Sequence, residues 1–241
     1  MFAAVWEVTG RFIITGRYAF APLSVVLVET VKQFADGTIY IHLLTSGYEL
    51  GVGFGLAAIV GIVMGILIGV SQPASDYFLP LIYAANATPI VALAPLFILL
   101  LGVGAASKII VIFLLCYFAV LVNTVAGVRT VDRSLVEAAR AFCANRTQIV
   151  WMVLLPNAVP FIIAGLRTAL GRGLVGVIVA ELYGASAGLG WLAWSASERM
   201  NAKLLFVAVT ILAVTGVVCT LALDVLERRI APWRRPPSEA E

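Results

Sequence analysis

Charged residues are scarce in this chain. Only 12% of its 241 residues are Asp, Glu, Lys or Arg, against about 25% in an ordinary soluble domain. Hydrophobic residues make up 62% of the chain and its mean hydropathy is +1.04. A soluble fold of this length buries only about 70–75% of its unfolded surface, so these few polar side chains cannot cover the remainder. The composition excludes an ordinary soluble domain and predicts an integral membrane protein.

Histidine and cysteine are rare as well. His42 is the only histidine, and none of the three cysteines lies at metal-like spacing from another. The sequence therefore gives no support for a disulfide framework, a metal site or a histidine-assisted catalytic group. A phosphate-binding loop is also missing, since the string from Gly102 to Lys108 lacks the glycine before the lysine. We expect no catalytic residue, metal or cofactor in this chain, so energy for uphill transport would come from another chain.

Ionisable groups are few inside the apolar runs. Proton- and sodium-coupled carriers usually place carboxylates or histidines within the bilayer, and here only Glu181, near the end of one run, comes close. This argues against a stand-alone secondary carrier or channel, which stays open as an alternative. A structural membrane scaffold without transport activity is a second alternative.

Long apolar runs set the predicted architecture. About twenty apolar residues cross about 30 Å of hydrocarbon, and such runs predict five transmembrane helices. They lie near residues 50–70, 79–101, 109–127, 157–181 and 204–223. The fourth run carries Arg167 and Arg172, which we expect to snorkel toward the nearer surface. The fold class is an all-α polytopic helix bundle.

The two ends of the chain differ from these runs. Residues 1–49 contain no uninterrupted apolar run of spanning length, which predicts interfacial N-terminal helices or a shortened first span. Residues 50–241 form the predicted transmembrane domain, with a polar loop at 128–157 and a basic tail at 224–241. Eight of the sixteen Lys and Arg residues lie in that loop and tail: Arg129, Arg133, Arg140, Arg146, Arg228, Arg229, Arg234 and Arg235. Such stretches orient a membrane protein rather than bind nucleic acid, and they place the loop and the C-terminus in the cytoplasm.

Two local patterns suggest helix packing and a cytoplasmic helix. Gly61, Gly65 and Gly69 repeat at four-residue spacing, which lets a second helix approach closely. Ser134 followed by Glu137 has capping-box spacing, which predicts a helix that begins after Ser134. From spacing alone, that helix is either an interfacial connector or a docking site for another chain.

The string EAARAFCANRTQIVWMVLLP, residues 137–156, resembles the EAA loop of the membrane subunits of bacterial ABC importers. That motif reads Glu-Ala-Ala, three residues, Gly, nine residues, an aliphatic residue, any residue, Leu-Pro. The matching residues are Glu137, Ala138, Ala139, Val153, Leu155 and Pro156. Cys143 stands where the motif has glycine, which leaves the usual tight turn open, and Asn145 nearby is a residue that can adopt a left-handed conformation. The strings at 93–109 and 160–192 are similar to the sulfonate, taurine and nitrate branch of that family, and the resemblance covers residues 21–233.

This resemblance implies a function and partners. In that family two membrane subunits form a dimer in the bacterial inner membrane, each EAA loop is a coupling helix seated on a cytoplasmic ATPase dimer that binds ATP and magnesium, and an extracytoplasmic binding protein delivers the substrate. The ATPase contact would then involve Ser134, Glu137, Ala138, Ala139, Arg140 and Cys143, with Leu155 and Pro156 bracing the return into the membrane. Docking of the binding protein would involve Gly188, Leu189 and Gly190.

The family resemblance says less about the substrate and the residues that line its path. The resemblance points to a small nutrient such as a sulfonate, nitrate, an aromatic acid or a pyrimidine precursor. Asn86, Thr88 and Glu181 are polar residues in apolar surroundings and are candidates to line the path. For Asn86 and Thr88, helix capping or interhelical bonding is the competing interpretation.

Overall fold

The computed structural model describes residues 2–13 and 20–230, and every regular element within them is a helix. The prediction of an all-α fold is confirmed. In chain order the helices are α1 (Phe2–Val8, extended by a π turn at Thr9–Ile13), α2 (Leu23–Ala35), α3 (Ile39–Val70), α4 (Gln72–Ala87), α5 (Ala94–Leu101, after a 3-10 turn at Ile90–Leu93), α6 (Ala105–Arg129), α7 (Arg133–Ala141), α8 (Arg146–Ile149, joined by a π turn at Val150–Leu154 to α9), α9 (Leu155–Leu182), α10 (Leu189–Glu198) and α11 (Ala202–Ile230).

Four helical segments of the described chain are long and apolar enough to cross a membrane. They are Ile39–Val70, Ala105–Arg129, Arg146–Leu182 and Ala202–Arg229. A fifth crossing exists only if α4 and the segment Ile90–Leu101 act together, and these two are bent by 70° at their junction. The single second arm predicted over residues 79–101 is therefore wrong in detail.

The break in that arm has a local cause. Thr88 precedes Pro89, and a proline ring disfavours helical backbone in the residue before it. Thr88 accordingly ends α4 in an extended conformation, with φ −68° and ψ 133°. The predicted span becomes two shorter helices with an unwound residue pair between them.

The first predicted span also has a different boundary. α3 begins at Ile39 rather than near Leu50, and it runs for 32 residues. Its first turns contain His42, Ser46 and Glu49, which the hydropathy pattern assigned to an N-terminal segment. The division of the chain at residue 50 stays a prediction, although α3 passes through it.

The chain divides into two compact units. Unit 1 comprises residues 1–52, 91–112 and 174–217, and unit 2 comprises residues 53–90, 113–173 and 218–241. The core of unit 1 is built around buried Val26, Ile39, Leu189 and Val207. The N-terminal helix α1 is tied to this unit, because the Trp6 indole N–H donates to the Ala21 carbonyl at 3.0 Å.

Close helix contacts hold unit 2 together. A Cβ added at Gly61, Gly65 or Gly69 would lie 2.5–2.9 Å from the side chains of α6. Those side chains are Val120, Thr124 and Val128, one for each glycine in order. The small-residue row of α3 therefore packs directly against α6, the arrangement that such spacing favours between membrane helices.

Candidate functional site

The helix α7 lies in the predicted coupling loop of unit 2, and Asp132 caps its start. The Asp132 carboxylate accepts the Ser134 backbone N–H at 2.9 Å, and the helix begins at Arg133. The predicted Ser134 cap is wrong. Asp132 accepts the Ser134 N–H itself, so Ser134 lies inside the first turn of α7 rather than before it. The same hydrogen bond holds the pKa of the Asp132 carboxyl below its usual value.

The end of α7 is closed by a Schellman motif centred on Cys143. The Ala144 N–H donates to the Ala139 carbonyl at 3.0 Å, and the Cys143 N–H donates to the Arg140 carbonyl at 2.9 Å. This pattern needs a left-handed residue after the helix, a place that glycine usually takes. Cys143 takes it here, with φ +58°. Asn145, the alternative left-handed residue, does not take this conformation, since it has φ −77° and caps the next helix.

Cys143→Gly is expected to stabilise the protein by about 1 kcal/mol. A non-glycine residue in left-handed backbone carries a cost of about 1–2 kcal/mol, part of which glycine returns through its freedom in the unfolded chain. The Cys143 side chain is exposed, so no packing is lost. Denaturant unfolding of the purified chain measures the change, with Cys143→Ser as a control that keeps the strain. A destabilised glycine variant would contradict this account of the turn.

The chain re-enters its long helix through a π turn that accommodates Pro156. Asn145 and Gln148 form a reciprocal capping box at the start of α8. The Leu155 N–H then reaches back to the Val150 carbonyl, five residues earlier. Proline lacks an N–H and its ring crowds the preceding turn, so a widened turn lets the helix continue past it. Leu155 packs on the buried cluster of Val128, Ala158 and Ile162.

The surface of α7 carries apolar side chains with no covering element in the described chain. None of its residues is buried. Leu135, Ala138 and Phe142 lie at helical spacing, and Phe142 is 88% exposed. Glu137 and Arg140 are exposed on the same short helix. An uncovered apolar stripe with flanking charges is typical of a helix that docks on another protein.

A second cluster, in unit 1, surrounds the start of α10. The first N–H groups of a helix have no partner within it. Here three side chains accept all four of these N–H groups. His42 Nδ1 accepts from Gly188 at 3.1 Å, and Ser46 Oγ accepts from Leu189 at 2.8 Å. Glu181 Oε2 accepts from Gly190 and Trp191 at 2.5 and 3.4 Å. The Ser46 hydroxyl in turn donates to Glu181 Oε1 at 2.5 Å. We call His42, Ser46 and Glu181 the α10 cradle.

The cradle explains two of the predicted docking glycines. Gly188 has φ +127°, a conformation that L side chains rarely adopt, and a Cβ there would overlap the Glu181 carboxylate. A Cβ on Gly190 would lie 2.9 Å from the Ile178 backbone. Leu189 between them is buried in the unit 1 core. The predicted docking residues and Glu181 are therefore brought together, and each has a structural task at this helix start.

A buried ion pair lies on the same side of α3. Lys108 Nζ and Glu49 Oε1 are 2.7 Å apart, and the two side chains are only 8% and 1% exposed. The pair borders a cavity of about 500 Å³, which is also lined by Thr45 and the loop at residues 184–187. Sequence reasoning missed the cradle histidine and serine and this pair. The spacing of His42, Ser46 and Glu49 on one helical face was the available signal, but the helix was expected to begin after them.

The remaining path candidates lie in unit 2. Asn86 Oδ1 accepts a hydrogen bond from Arg172 Nη1 at 2.8 Å. Thr88 is exposed, and its hydroxyl donates to the Ala84 carbonyl at 3.3 Å. Interhelical and capping bonds therefore account for part of their polarity. Arg172 itself was expected to snorkel, and the structure gives it a protein partner instead.

Comparison with known proteins gives consistent matches. Residues 57–236 match the family described as the binding-protein-dependent transport system inner membrane component. A protein of Bacillus subtilis (strain 168), named as an aliphatic sulfonates transport permease, is 35% identical over 96% of this chain and 84% of its own length. The taurine transport system permease protein of Escherichia coli (strain K12) is 34% identical over 84% of this chain and 74% of its own length.

Solved structures share the fold. A chain of the MetNI methionine ABC transporter, in an inward-facing conformation, superimposes with a TM-score of 0.68 over 87% of this chain and 98% of its own length, at 20% identity. The family match covers most of the chain and includes α7, its Schellman motif and the α10 cradle residue Glu181. The chain therefore belongs to the family of binding-protein-dependent transport system inner membrane components.

Proposed function

We propose that this chain is the membrane-spanning subunit of an ABC importer, that it pairs with a second copy to enclose the translocation path, and that α7 couples this path to a cytoplasmic ATPase. The observation that carries the coupling role is the exposed surface of α7. Its apolar stripe and charged residues are rigidly framed by a cap at Asp132 and a Schellman motif at Cys143. A short helix that is capped at both ends moves as one unit when its partner moves, without unwinding.

Coupling requires that α7 is packed against the membrane-spanning helices. The π turn and Leu155 supply this packing, since Leu155 packs against Val128 at the end of α6 and against Ile162 in α9. Movement of α7 is thereby passed to two long helices. ATP-driven closure of the ATPase dimer would then shift the bundle between two packings. ATP and magnesium bind the partner chain, and this chain hydrolyses nothing.

The orientation follows from charge. Arg133 and Arg140 lie in α7, and Arg129 and Arg146 flank it. Arg228 and Arg229 lie in the last turn of α11. The positive-inside rule places both groups, and the C-terminus, in the cytoplasm of a bacterial inner membrane. Arg234 and Arg235, predicted to share that side, lie outside the described residues. An extracytoplasmic binding protein would deliver the substrate to the Gly188–Gly190 region.

The substrate class is taken from the relatives. Two of them are named for aliphatic sulfonates and taurine, and a third, at 27% identity, for formylaminopyrimidine. A small organic nutrient, with sulfonates first in the order of testing, fits this range. No observation in the described chain favours a stand-alone carrier or channel.

Glu137→Lys tests the coupling role. Reversing an exposed charge in the proposed docking surface is expected to reduce substrate-stimulated ATP hydrolysis of the assembled complex about tenfold or more, as loss of an interface hot spot does. The folding of this chain should not change, because Glu137 is exposed. The measurement is hydrolysis by the purified complex.

Glu198→Lys is the matched control, since Glu198 is also exposed on a short helix but lies in α10. It should leave both hydrolysis and recovery of the ATPase within about twofold of the unmodified complex. Normal stimulated hydrolysis in the Glu137 variant would contradict the coupling role of α7.

A further inference from the structure

An exposed arginine lies far along α9. Arg172 precedes the end of the helix at Leu182 by ten residues, which is about 15 Å at the rise of an α-helix. Arg172 thus lies well inside the segment Arg146–Leu182, which is long and apolar enough to cross a hydrocarbon core about 30 Å thick. The Arg172 side chain is exposed, and so is Thr168 one turn earlier on the same face. A guanidinium facing lipid at this depth is strongly unfavourable, so this face lies against water or protein.

The positive charge of Arg172 has no carboxylate partner in residues 2–13 and 20–230. Its one hydrogen bond there is donated by Nη1 to Asn86 Oδ1, and a neutral amide oxygen leaves the charge uncompensated. Arg167, five residues earlier on α9, differs sharply. It pairs with Asp224 at 2.5 Å and Glu227 at 3.1 Å. The two arginines on one helix therefore have different tasks: Arg167 is held by acids, and Arg172 keeps free donors.

Asn86 brings Arg172 to the break in the chain between α4 and α5. Asn86 lies two residues before Thr88, where the helix stops and the backbone becomes extended. Discontinuous helices inside a membrane are tolerated where they line a cavity, and transport proteins use them to bind ions and polar substrates. Asn86 and Thr88 lie at this break, and the Asn86 amide holds the Arg172 guanidinium beside it.

A guanidinium recognises one class of ligand best. Its planar fork donates paired hydrogen bonds to the oxygens of a carboxylate, a phosphate or a similar oxyanion. Asn86 fixes one arm of the fork, which leaves the remaining N–H groups preorganised for such a group.

We propose that Arg172, oriented by Asn86, is an anion-binding subsite in the translocation path and selects cargo that carries an oxyanion such as a sulfonate or carboxylate. This inference rests on the proposed function, because it assigns the substrate-contacting charge of the same path. It adds the residue that would contact the anionic group of the cargo, which neither the motif matches nor the relatives specify.

The test uses the complete importer, with its ATPase and binding protein, in proteoliposomes. The probe is ³⁵S-labelled ethanesulfonate, and ethanesulfonamide is its neutral counterpart. Arg172→Gln should lower ATP-dependent uptake of ethanesulfonate about tenfold or more, since a charge-assisted hydrogen bond contributes roughly ten- to a hundredfold in affinity. Arg172→Lys keeps the charge and should retain a large part of the uptake.

Two further variants separate substrate binding from folding. Arg167→Gln is the matched control on the same helix, and it should leave the preference for the anionic probe unchanged. Asn86→Ala keeps the positive charge but removes the hydrogen bond that orients the Arg172 side chain, and it should raise the KM for ethanesulfonate severalfold. It keeps the proposal testable if Arg172→Gln does not assemble.

The outcomes distinguish this inference from the proposed function. Unchanged sulfonate uptake in Arg172→Gln, or a preference of the unmodified importer for the neutral probe, would overturn the anion subsite while ATP-driven import stands. Absence of ATP-dependent uptake of either probe, together with no recovered ATPase, would overturn the proposed function and the subsite with it.

Discussion

Replacing Glu181 with alanine is expected to destabilise the protein by about 3–5 kcal/mol, the usual cost of removing one partner from a buried charged network. Glu181 is fully buried, and its carboxylate accepts the Ser46 hydroxyl and the N–H groups of Gly190 and Trp191. Alanine leaves all three donors without this acceptor. Each buried unsatisfied group costs about 1–3 kcal/mol. The start of α10 should therefore detach.

Denaturant unfolding of the detergent-purified chain measures this loss. Glu198→Ala is the control, because it removes the same side chain from an exposed position at the other end of α10, and it should change stability by less than about 0.5 kcal/mol. Glu181→Gln should fall between the two, since an amide accepts at one atom and presents N–H donors at the other. Equal stability of the two alanine variants would contradict the role of the cradle.

Lys108→Met is expected to cost about 3–5 kcal/mol, because it leaves Glu49 buried beside no cation. The two side chains are almost fully enclosed and lie 2.7 Å apart. Replacing both, as in Glu49→Leu with Lys108→Met, removes both charges and should recover most of the loss, since apolar residues of similar size substitute well for buried ion pairs. A double-mutant cycle measured by unfolding gives the coupling between them.

Lys203→Met serves as the control for a lysine lost from an exposed position. It should shift stability by less than about 0.5 kcal/mol. If the double variant is as unstable as Lys108→Met alone, the instability comes from something other than the unpaired carboxylate, and the assigned role of the ion pair is wrong.

Local patterns predicted the parts of the fold that depend on local chemistry. The all-α class followed from the apolar runs, and the position of α7 followed from the string that begins at Glu137. The cap of α7 and the end of α4 were predicted wrongly, although the residues that determine them are visible in the sequence. Asp132 was available as a cap two residues before Ser134, and Pro89 marked the end of α4.

Features that join distant parts of the chain could not be predicted in this way. The bond from Ser46 to Glu181 links residues 135 positions apart, and the bond from Gly188 to His42 links residues 146 positions apart. Glu49 and Lys108 are 59 positions apart, so the sequence does not show that they pair. Each therefore looked like the polar end of a span. Hydropathy treats such residues as boundaries, whereas pairing allows a helix to continue through them.

Cys143 shows how a departure from a motif can preserve its geometry. The loss of glycine left the position of the turn open. The structure keeps the Schellman motif and places cysteine in the left-handed conformation, with φ +58°. The hydrogen bonds of the turn, rather than the residue identity, determine where the helix stops.

We propose that this chain works only together with a cytoplasmic ATPase. The most direct test of this proposal is purification of the tagged chain from its host in mild detergent after crosslinking, with identification of the co-purifying proteins and an assay of ATP hydrolysis. We expect an ATPase at one copy per membrane subunit and vanadate-sensitive hydrolysis, whose substrate-stimulated part falls about tenfold or more in the Glu137→Lys variant. A crosslinked preparation that contains no nucleotide-binding partner and yet transports substrate would contradict the proposal.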